Sequence, residues 1–229
     1  VGTGLWVIGH ECGHRAYSDS VFIGDLVGLV VHSILLVPYH SWRISHAKHH
    51  STNGNIDKDE VFVPPRLSTL KKNKLPEDPS SITLMKDLVL MFIFGWWVYL
   101  FTHATGRDYG RSTNHFSPNS PLFTVRDYKS VMISNAALLT VISALGVWVY
   151  YTSFWHVFFT YFIPYMVVNF WLLLYTFLHH TDPKIPRYTT ANWEWMLGAL
   201  TTVDRDYGFW NYFHHDIGNT HVLHHLFSK

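Results

Sequence analysis

The chain has 229 residues, of which 48% are hydrophobic, 17% aromatic and only 14% charged. Soluble domains usually carry about a quarter charged residues, so this composition predicts a membrane protein. A formal net charge of +1 argues against nucleic acid as a partner, and the single cysteine, Cys12, excludes an internal disulfide and a cysteine-based zinc site.

The first apolar run covers residues 1–9, with neither an initiator methionine nor a signal-peptide pattern. We interpret it as the end of an earlier membrane span and the sequence as a fragment of a longer protein. Residues 26–38 are apolar but too short to cross, which favours a re-entrant or interfacial helix. Residues 88–106 are long enough, but their tryptophan and tyrosine side chains favour the headgroup level. Residues 64–81 are typical of a surface loop.

Residues 131–178 contain no Asp, Glu, Lys or Arg. A helix needs roughly 20 apolar residues to cross the hydrocarbon core, so this run predicts two crossings, at about 131–150 and 155–178. The polar residues Tyr151, Thr152 and Ser153 mark the turn between them. The alternative, a buried hairpin of a large soluble protein, is less consistent with so long an uncharged run. The sequence therefore predicts an all-α integral membrane protein.

The distribution of basic residues indicates which side of the membrane the loops face. Residues 40–86 hold eight Lys or Arg, residues 107–129 hold four, and the turn near Tyr151 holds none. Cytosolic loops are enriched in Lys and Arg, so the long loops are predicted to form a cytosolic helical cap. If the histidines before and after residues 131–178 meet, an even number of crossings separates them, which again places residues 88–106 in the interface.

Seventeen histidines are present, as many as Lys and Arg together, and eight of them form three clusters. One cluster has the spacing HxxxH and two have HxxHH. The clusters are His10 and His14, then His46, His49 and His50, then His221, His224 and His225. Residues three and four apart share a helix face, so each cluster can direct its imidazoles at one point. One such pair occurs by chance, but three together predict a metal site.

The number of histidines restricts the metal. Imidazole suits Zn, Cu, Fe or Ni, and eight histidines exceed the three or four that one zinc ion takes, which favours two metal ions. An imidazole-rich pair of ions in an apolar setting suits iron that activates O2.

The segment from His10 to His14 also matches the zinc-protease motif HExxH, with Glu11 as its base. That alternative leaves both HxxHH clusters unused, and Gly13 weakens the helix it needs. We expect Glu11 to accept a hydrogen bond from a ligand imidazole instead.

At these motifs the chain resembles the acyl-lipid membrane fatty acid desaturases, most closely the delta-12 (oleate) desaturases of fungi and plants. The resemblance extends over nearly the whole chain. It is carried by GTGLWVIGHECGH (2–14), HSILLVPYHSWRISHAKHH (32–50), DEVFVP (59–64), NHFSP (114–118), FLHHTDP (177–183), VDRDYG (203–208) and HDIGNTHVLHHLFS (215–228). Plant members often have another His where Arg15 stands here, and Gln where His179 stands.

The resemblance implies that the eight clustered histidines bind two non-haem iron ions. It adds His180 as a further ligand and His215 as a residue of uncertain role. It also implies O2, a phospholipid-linked acyl substrate, cytochrome b5 as electron donor and an endoplasmic reticulum location. Arg43, Lys48 and Arg205 are candidates for contact with an acidic electron carrier or, equally, with anionic lipids. Seven histidines are predicted to be packing or interface residues: His32, His40, His103, His115, His156, His179 and His214.

The predicted activity is O2-dependent delta-12 desaturation of an oleoyl chain. Omega-3 desaturation, a bifunctional activity and acyl hydroxylation remain open within the same superfamily, because no motif here encodes how the acyl chain is positioned. From other classes, the intramembrane zinc protease remains open, as does a metal transporter or sensor. A transporter would need ligands at mid-membrane, whereas these clusters lie at or beyond span ends.

Overall fold

The computed structural model describes residues 1–66 and 79–228. Most of the predicted surface loop 64–81 therefore lies outside the described residues. Within the described ranges the chain is helical and contains no strand, as predicted. The α-helices are α1 (Gly2–Gly13), α2 (Val21–Ile34), α3 (Tyr39–Thr52), α4 (Ser81–Thr102), α5 (Tyr128–Tyr151), α6 (Phe154–Val157), α7 (Ile163–His180), α8 (Trp195–Ala199), α9 (Phe209–Phe213) and α10 (His221–Leu226).

Three helical segments in the described ranges are long and apolar enough to cross a membrane: Ser81–Thr102, Val125–Tyr151 and Phe154–His180. Their outward side chains are apolar, as the 63% exposed Leu139 and the 64% exposed Phe159 illustrate. The expectation of a helical membrane protein is thus confirmed. The last two segments contain the predicted crossings. α4 is long enough to cross, and its interfacial placement stays a prediction.

Helices α5 to α7 form a hairpin whose two open ends return to α3. The turn is stabilised where the Ser153 hydroxyl accepts a hydrogen bond from the backbone N–H of His156 at 3.1 Å. Near the start of α5, the Ser134 hydroxyl accepts from the backbone N–H of His40 at 2.9 Å. At the end of α7, the His180 ring lies 4.7 Å from that of His49. Both open ends of the hairpin therefore contact α3.

Helices α1, α2 and α3 pack closely because small residues let the backbones approach. α2 and α3 are bent by 106° at the break between them. A Cβ on Gly9 would lie only 2.0 Å from His32 Cδ2, so only glycine permits this contact between α1 and α2. Trp6 and Trp42 meet at 4.9 Å between ring centroids, in a buried apolar core beside the start of α3. This core holds the histidine-bearing helix ends in place.

Candidate metal centre

Nine histidines converge where the ends of α1, α3 and α7 meet α10. α1 carries HxxxH at its end and α3 carries HxxHH in its last turns, while α10 consists largely of the second HxxHH. His50 and His224 are 174 positions apart, yet their Nε2 atoms are 3.1 Å apart. The converging residues are His10, His14, His46, His49, His50, His180, His221, His224 and His225.

The first group gathers five imidazoles whose ligand nitrogens all lie within 4.8 Å of one another. His46 Nε2 lies 3.0 Å from His10 Nε2 and 3.0 Å from His14 Nε2. His50 and His224 complete the group. One imidazole N–H cannot serve several acceptors at once, so hydrogen bonding alone does not explain the convergence.

The second group contains His49, His180 and His225, again within 4.8 Å of one another, and all three are buried. The fourth member is His221, whose Nε2 lies 3.0 Å from that of His180. The His225 ring stacks on the His50 ring of the first group at 4.2 Å. The two groups are therefore side by side.

Each HxxHH helix divides its histidines between the two groups by one rule. In α3, His46 and His50 join the first group and His49 joins the second. In α10, His224 joins the first group, while His225 and its neighbour His221 belong to the second. Residues four apart on a helix differ in direction by about 40°, and adjacent residues by about 100°. The i, i+4 pair therefore points at one position and the residue between them at the other.

The donor set fits two metal ions of high coordination number. Two nitrogens each about 2.1 Å from one ion lie about 3.0 Å apart at a right angle and about 3.4 Å apart at the tetrahedral angle. The Nε2–Nε2 distances of 3.0 and 3.1 Å in the first group match the right angle. Five imidazoles in one group also exceed the four ligands of structural zinc. Both nitrogens of the buried His225 lack a hydrogen-bond partner in the described structure, and an ion would satisfy one of them.

A buried carboxylate orients one histidine of the second group. Asp59 Oδ1 lies 2.6 Å from His49 Nδ1, and both side chains are buried. Asp59 Oδ2 also accepts from the backbone N–H of Gly54 at 2.9 Å, which fixes the carboxylate. With the Nδ1 proton directed to Asp59, the His49 Nε2 lone pair faces the group. Such carboxylate partners fix the tautomer and raise the basicity of a ligand imidazole. Asp59 lies in the DEVFVP motif, but no role could be assigned to it from sequence.

Glu11 has the corresponding position in the first group. Its Oε1 lies 2.9 Å from His10 Nδ1, on the far side of the ring from the converging Nε2 atoms. The side chain thus contacts a candidate ligand's outer nitrogen, whereas a protease base faces the metal-bound water. α1 ends at Gly13 and His14 is its C-cap residue, so the weakening of this helix by Gly13 stays a prediction. The five-histidine group remains the reason to reject a zinc protease.

The other histidines lie outside both groups. His215 is exposed, with a positive φ of 57°, and its Nε2 approaches Gly4 of α1. His179 is fully buried and stacks on His221 at 4.4 Å, so it packs directly against the second group. His103 is buried against Glu60 at 2.9 Å, and His156 is exposed near the α5 to α7 turn.

Burial keeps several of the clustered imidazoles neutral. Desolvation, together with the neighbouring His10, lowers the pKa of His14 from 6.5 to about 2 and that of His224 to about 3. Desolvation also lowers the pKa values of His221 and His225 well below 6.5. An imidazole must be neutral to bind a metal ion, so these rings can bind one without first losing a proton.

We expect the metal-free protein to lose stability as the pH falls from 7.5 to 5. Below the ordinary pKa of 6.5 the unfolded chain binds protons at these histidines, whereas the folded chain does not. The stability that neutral burial contributes is present above pH 6.5 and is lost progressively below it. Thermal unfolding in detergent over this range measures the effect. A melting temperature that is equal or higher at pH 5 would contradict the prediction.

An apolar cavity opens directly onto the histidines. Its far wall is formed by α4 and α7, including Gly95, Trp96, Leu172 and Leu173, and Trp6 of α1 lies beside them. Members of both histidine groups also line it: His10, His46, His49, His180, His221, His224 and His225. A long apolar ligand could therefore lie against both groups at once.

Comparison with known proteins identifies relatives along the whole chain. Residues 1–229 match the family model described as fatty acid desaturase. A Delta(12) fatty acid desaturase of Mortierella alpina is 46% identical, over 99% of this chain and 61% of that protein. The Delta(12)-fatty-acid desaturase of Arabidopsis thaliana is 44% identical, and the omega-6 fatty acid desaturase, endoplasmic reticulum isozyme 2, of Glycine max is 45% identical. Each of these two is matched over 99% of this chain and 59% of the relative. The chain thus spans about three fifths of the length of these curated relatives.

Proposed function

The chain belongs to the fatty acid desaturase family, and we propose that it is the catalytic part of a delta-12 desaturase. In this proposal the enzyme converts a lipid-linked oleoyl chain to linoleoyl with O2. Relatives from fungi and plants that carry delta-12 names support this choice. The observation that carries the proposal is the apolar cavity, which ends on both histidine groups.

We assign the nine converging histidines as ligands of two iron ions, with five at the first position and four at the second. Iron bound there supplies the chemistry of O2 reduction and C–H oxidation. Glu11 and Asp59 hold the Nδ1 protons of His10 and His49, which keeps the Nε2 lone pairs directed inward. His215 has no ligand role in this assignment.

We place the acyl chain of the substrate in the apolar cavity. Trp6, Trp96 and Leu173 are buried and line it, so an acyl chain there is shielded from water. The reaction removes two hydrogens from neighbouring methylenes. With O2, two electrons and two protons it yields a double bond and two water molecules. Exclusion of water protects the oxidising centre from side reactions.

The proposed setting is the endoplasmic reticulum membrane, with the histidines on the cytosolic side and cytochrome b5 or a similar carrier as the donor. The name of the Glycine max relative and the basic loops support this placement. Two of the cations considered for donor docking make internal contacts. Lys48 Nζ donates to the Leu122 carbonyl at 2.5 Å, and Arg205 bonds Asp182 at 2.9 Å. These contacts do not support Lys48 or Arg205 as the docking surface, and the donor's position stays a prediction.

Lipid analysis of a host rich in oleate tests the proposal. The full-length protein is expressed there, and total fatty acids are compared with those of an empty-vector strain. New linoleate is the expected result. Linolenate or hydroxy acids would show that the chain serves another branch of the superfamily. Unchanged lipids, from a protein that is present in the membrane and contains iron, would refute the proposal.

Gly95 of α4 offers a test of the cavity itself. A Cβ at this position would lie 3.3 Å from Met91 Cγ and 3.4 Å from Leu173 Cδ1, so alanine fits with small adjustments. We expect Gly95→Ala to retain most of the product and Gly95→Phe to lose at least tenfold, because the larger ring fills the cavity. Linoleate per unit of membrane protein measures both variants. Equal activity of the two would contradict the placement of the acyl chain.

A further inference from the structure

A second cavity meets the apolar cavity beside the histidine cluster. Its lining includes the polar side chains of Asp182 and Arg187, and it opens to solvent. Three residues line both cavities: Phe62, Thr105 and His180. One of them, His180, belongs to the second histidine group. These three residues therefore separate the apolar space and the metal centre from an opening to water.

The Phe62 side chain is the large apolar part of this partition. Its ring packs edge to face against that of Phe177 in α7, with 5.7 Å between the centroids. Phe177 lies about one helical turn before His180. The two rings thus bridge the gap between the Asp59 loop and α7 beside a candidate ligand.

The backbone holds Phe62 in an uncommon conformation. Its φ is +47°, a region that bulky residues rarely adopt. The chain is fixed on both sides of it. The Val63 N–H donates to the Thr105 carbonyl at 2.8 Å, and the Arg107 N–H donates to the Asp59 carbonyl at 3.1 Å. Conformations of this kind persist where the surrounding structure imposes them, and they concentrate at functional sites.

We propose that Phe62 seals the acyl cavity and the metal centre against the solvent-open cavity, and that this seal couples O2 consumption to desaturation. The inference rests on the proposed function. In the coupled reaction O2 takes two hydrogens from the acyl chain and two electrons and two protons from the donor side, giving two water molecules. Without the seal, water and protons enter before the acyl chain reacts. O2 then leaves as hydrogen peroxide after taking two donor electrons and two protons.

The first experiment measures coupling in the full-length enzyme, supplied with its one-electron donor and oleoyl lipid. Phe62→Ala and Phe62→Gly both remove the ring, whereas Phe62→Tyr keeps it. Phe22→Ala removes an exposed ring of α2 as a control. For the first two variants we expect the unsaturated product formed per O2 to fall severalfold, with a matching rise in hydrogen peroxide. The Phe62→Tyr and Phe22→Ala variants should remain coupled like the wild type.

Comparison of the two ring-removing variants separates the ring from the backbone. Glycine adopts a positive φ without strain and alanine does not, so Phe62→Gly should be the more stable of the two. If the seal is the ring, both variants uncouple to a similar extent. If only the less stable Phe62→Ala uncouples, the effect follows stability, and the proposal is overturned.

A second measurement needs no turnover. A water-soluble chelator is added to the resting iron-loaded enzyme, and the rate of iron loss is followed. We expect severalfold faster loss from Phe62→Ala and Phe62→Gly than from Phe62→Tyr. Unchanged coupling and unchanged iron loss would overturn the seal while leaving desaturation intact. If the wild type forms no unsaturated product, the proposed function fails, and the chelation rates alone decide whether Phe62 shields the centre.

Discussion

Replacing His46 by alanine is expected to abolish desaturation and to deplete iron at the first position. His46 Nε2 is the nitrogen that lies 3.0 Å from both His10 and His14, so its loss removes the centre of the five-histidine group. Its ring also stacks on Trp42 at 4.4 Å, and alanine leaves a gap there. We expect product to fall at least 100-fold, below detection in a lipid assay, and the iron content to drop by about half.

His156→Ala is the matched control, because this exposed histidine lies near the α5 to α7 turn. It should retain normal product and normal iron. His46→Gln nearly preserves the size of the side chain and tests whether the loss of activity is due to misfolding. We expect this variant to be membrane-inserted, helical by circular dichroism and inactive. A His46→Ala enzyme with wild-type product would refute the assignment of His46 as a ligand.

The second large effect is expected at Asp59. The Asp59→Asn variant loses the charge that faces His49 Nδ1 at 2.6 Å, so the His49 tautomer and ring orientation are no longer fixed. Loss of such a partner typically lowers metal affinity or activity by about 10–100-fold. We expect a fall of this size in both iron affinity and product, with partial recovery when iron is supplied in excess. Iron titration of the metal-free protein measures the affinity.

Asp57→Asn is the control for Asp59, since Asp57 lies in the same loop but accepts from the backbone N–H of Thr190 at 2.9 Å. It should bind iron like the wild type. A structural role alone would lower the expression and thermal stability of Asp59→Asn without changing the iron affinity of the folded fraction. That result would exclude the proposed positioning of His49.

Local rules of helix geometry and the absence of charge account for what could be predicted. Residues 131–178 predict a helical hairpin. A run of this length without a charged side chain is long enough to cross the membrane twice and is unsuited to a surface exposed to water. The spacing of three and four residues predicts that each cluster shares a helix face, since this follows from 3.6 residues per turn. His180 could be predicted as a metal ligand only from the family resemblance, because a single histidine at a helix end has no pattern to distinguish it.

Other features depend on contacts between distant residues. Asp59 is one of two adjacent acids after an HxxHH helix, and only the fold shows that its side chain turns back to His49 while Glu60 turns to His103. Likewise, nothing in the motif DEVFVP indicates that Phe62 lies between two cavities. Such residues have no periodic signal, because their roles are created by a turn and by neighbours far along the chain.

The sequence by itself determined that this is a helical membrane protein with three imidazole-bearing helix segments. It also predicted that each segment directs its imidazoles at one point, but the two HxxHH segments divide theirs between two groups. Only the tertiary structure decided that His46 and His50 meet His224, while His49 meets His180 and His225. The physical reason is that direction around a helix is set locally, at about 100° per residue, whereas the partner that a side chain meets depends on how the helices cross.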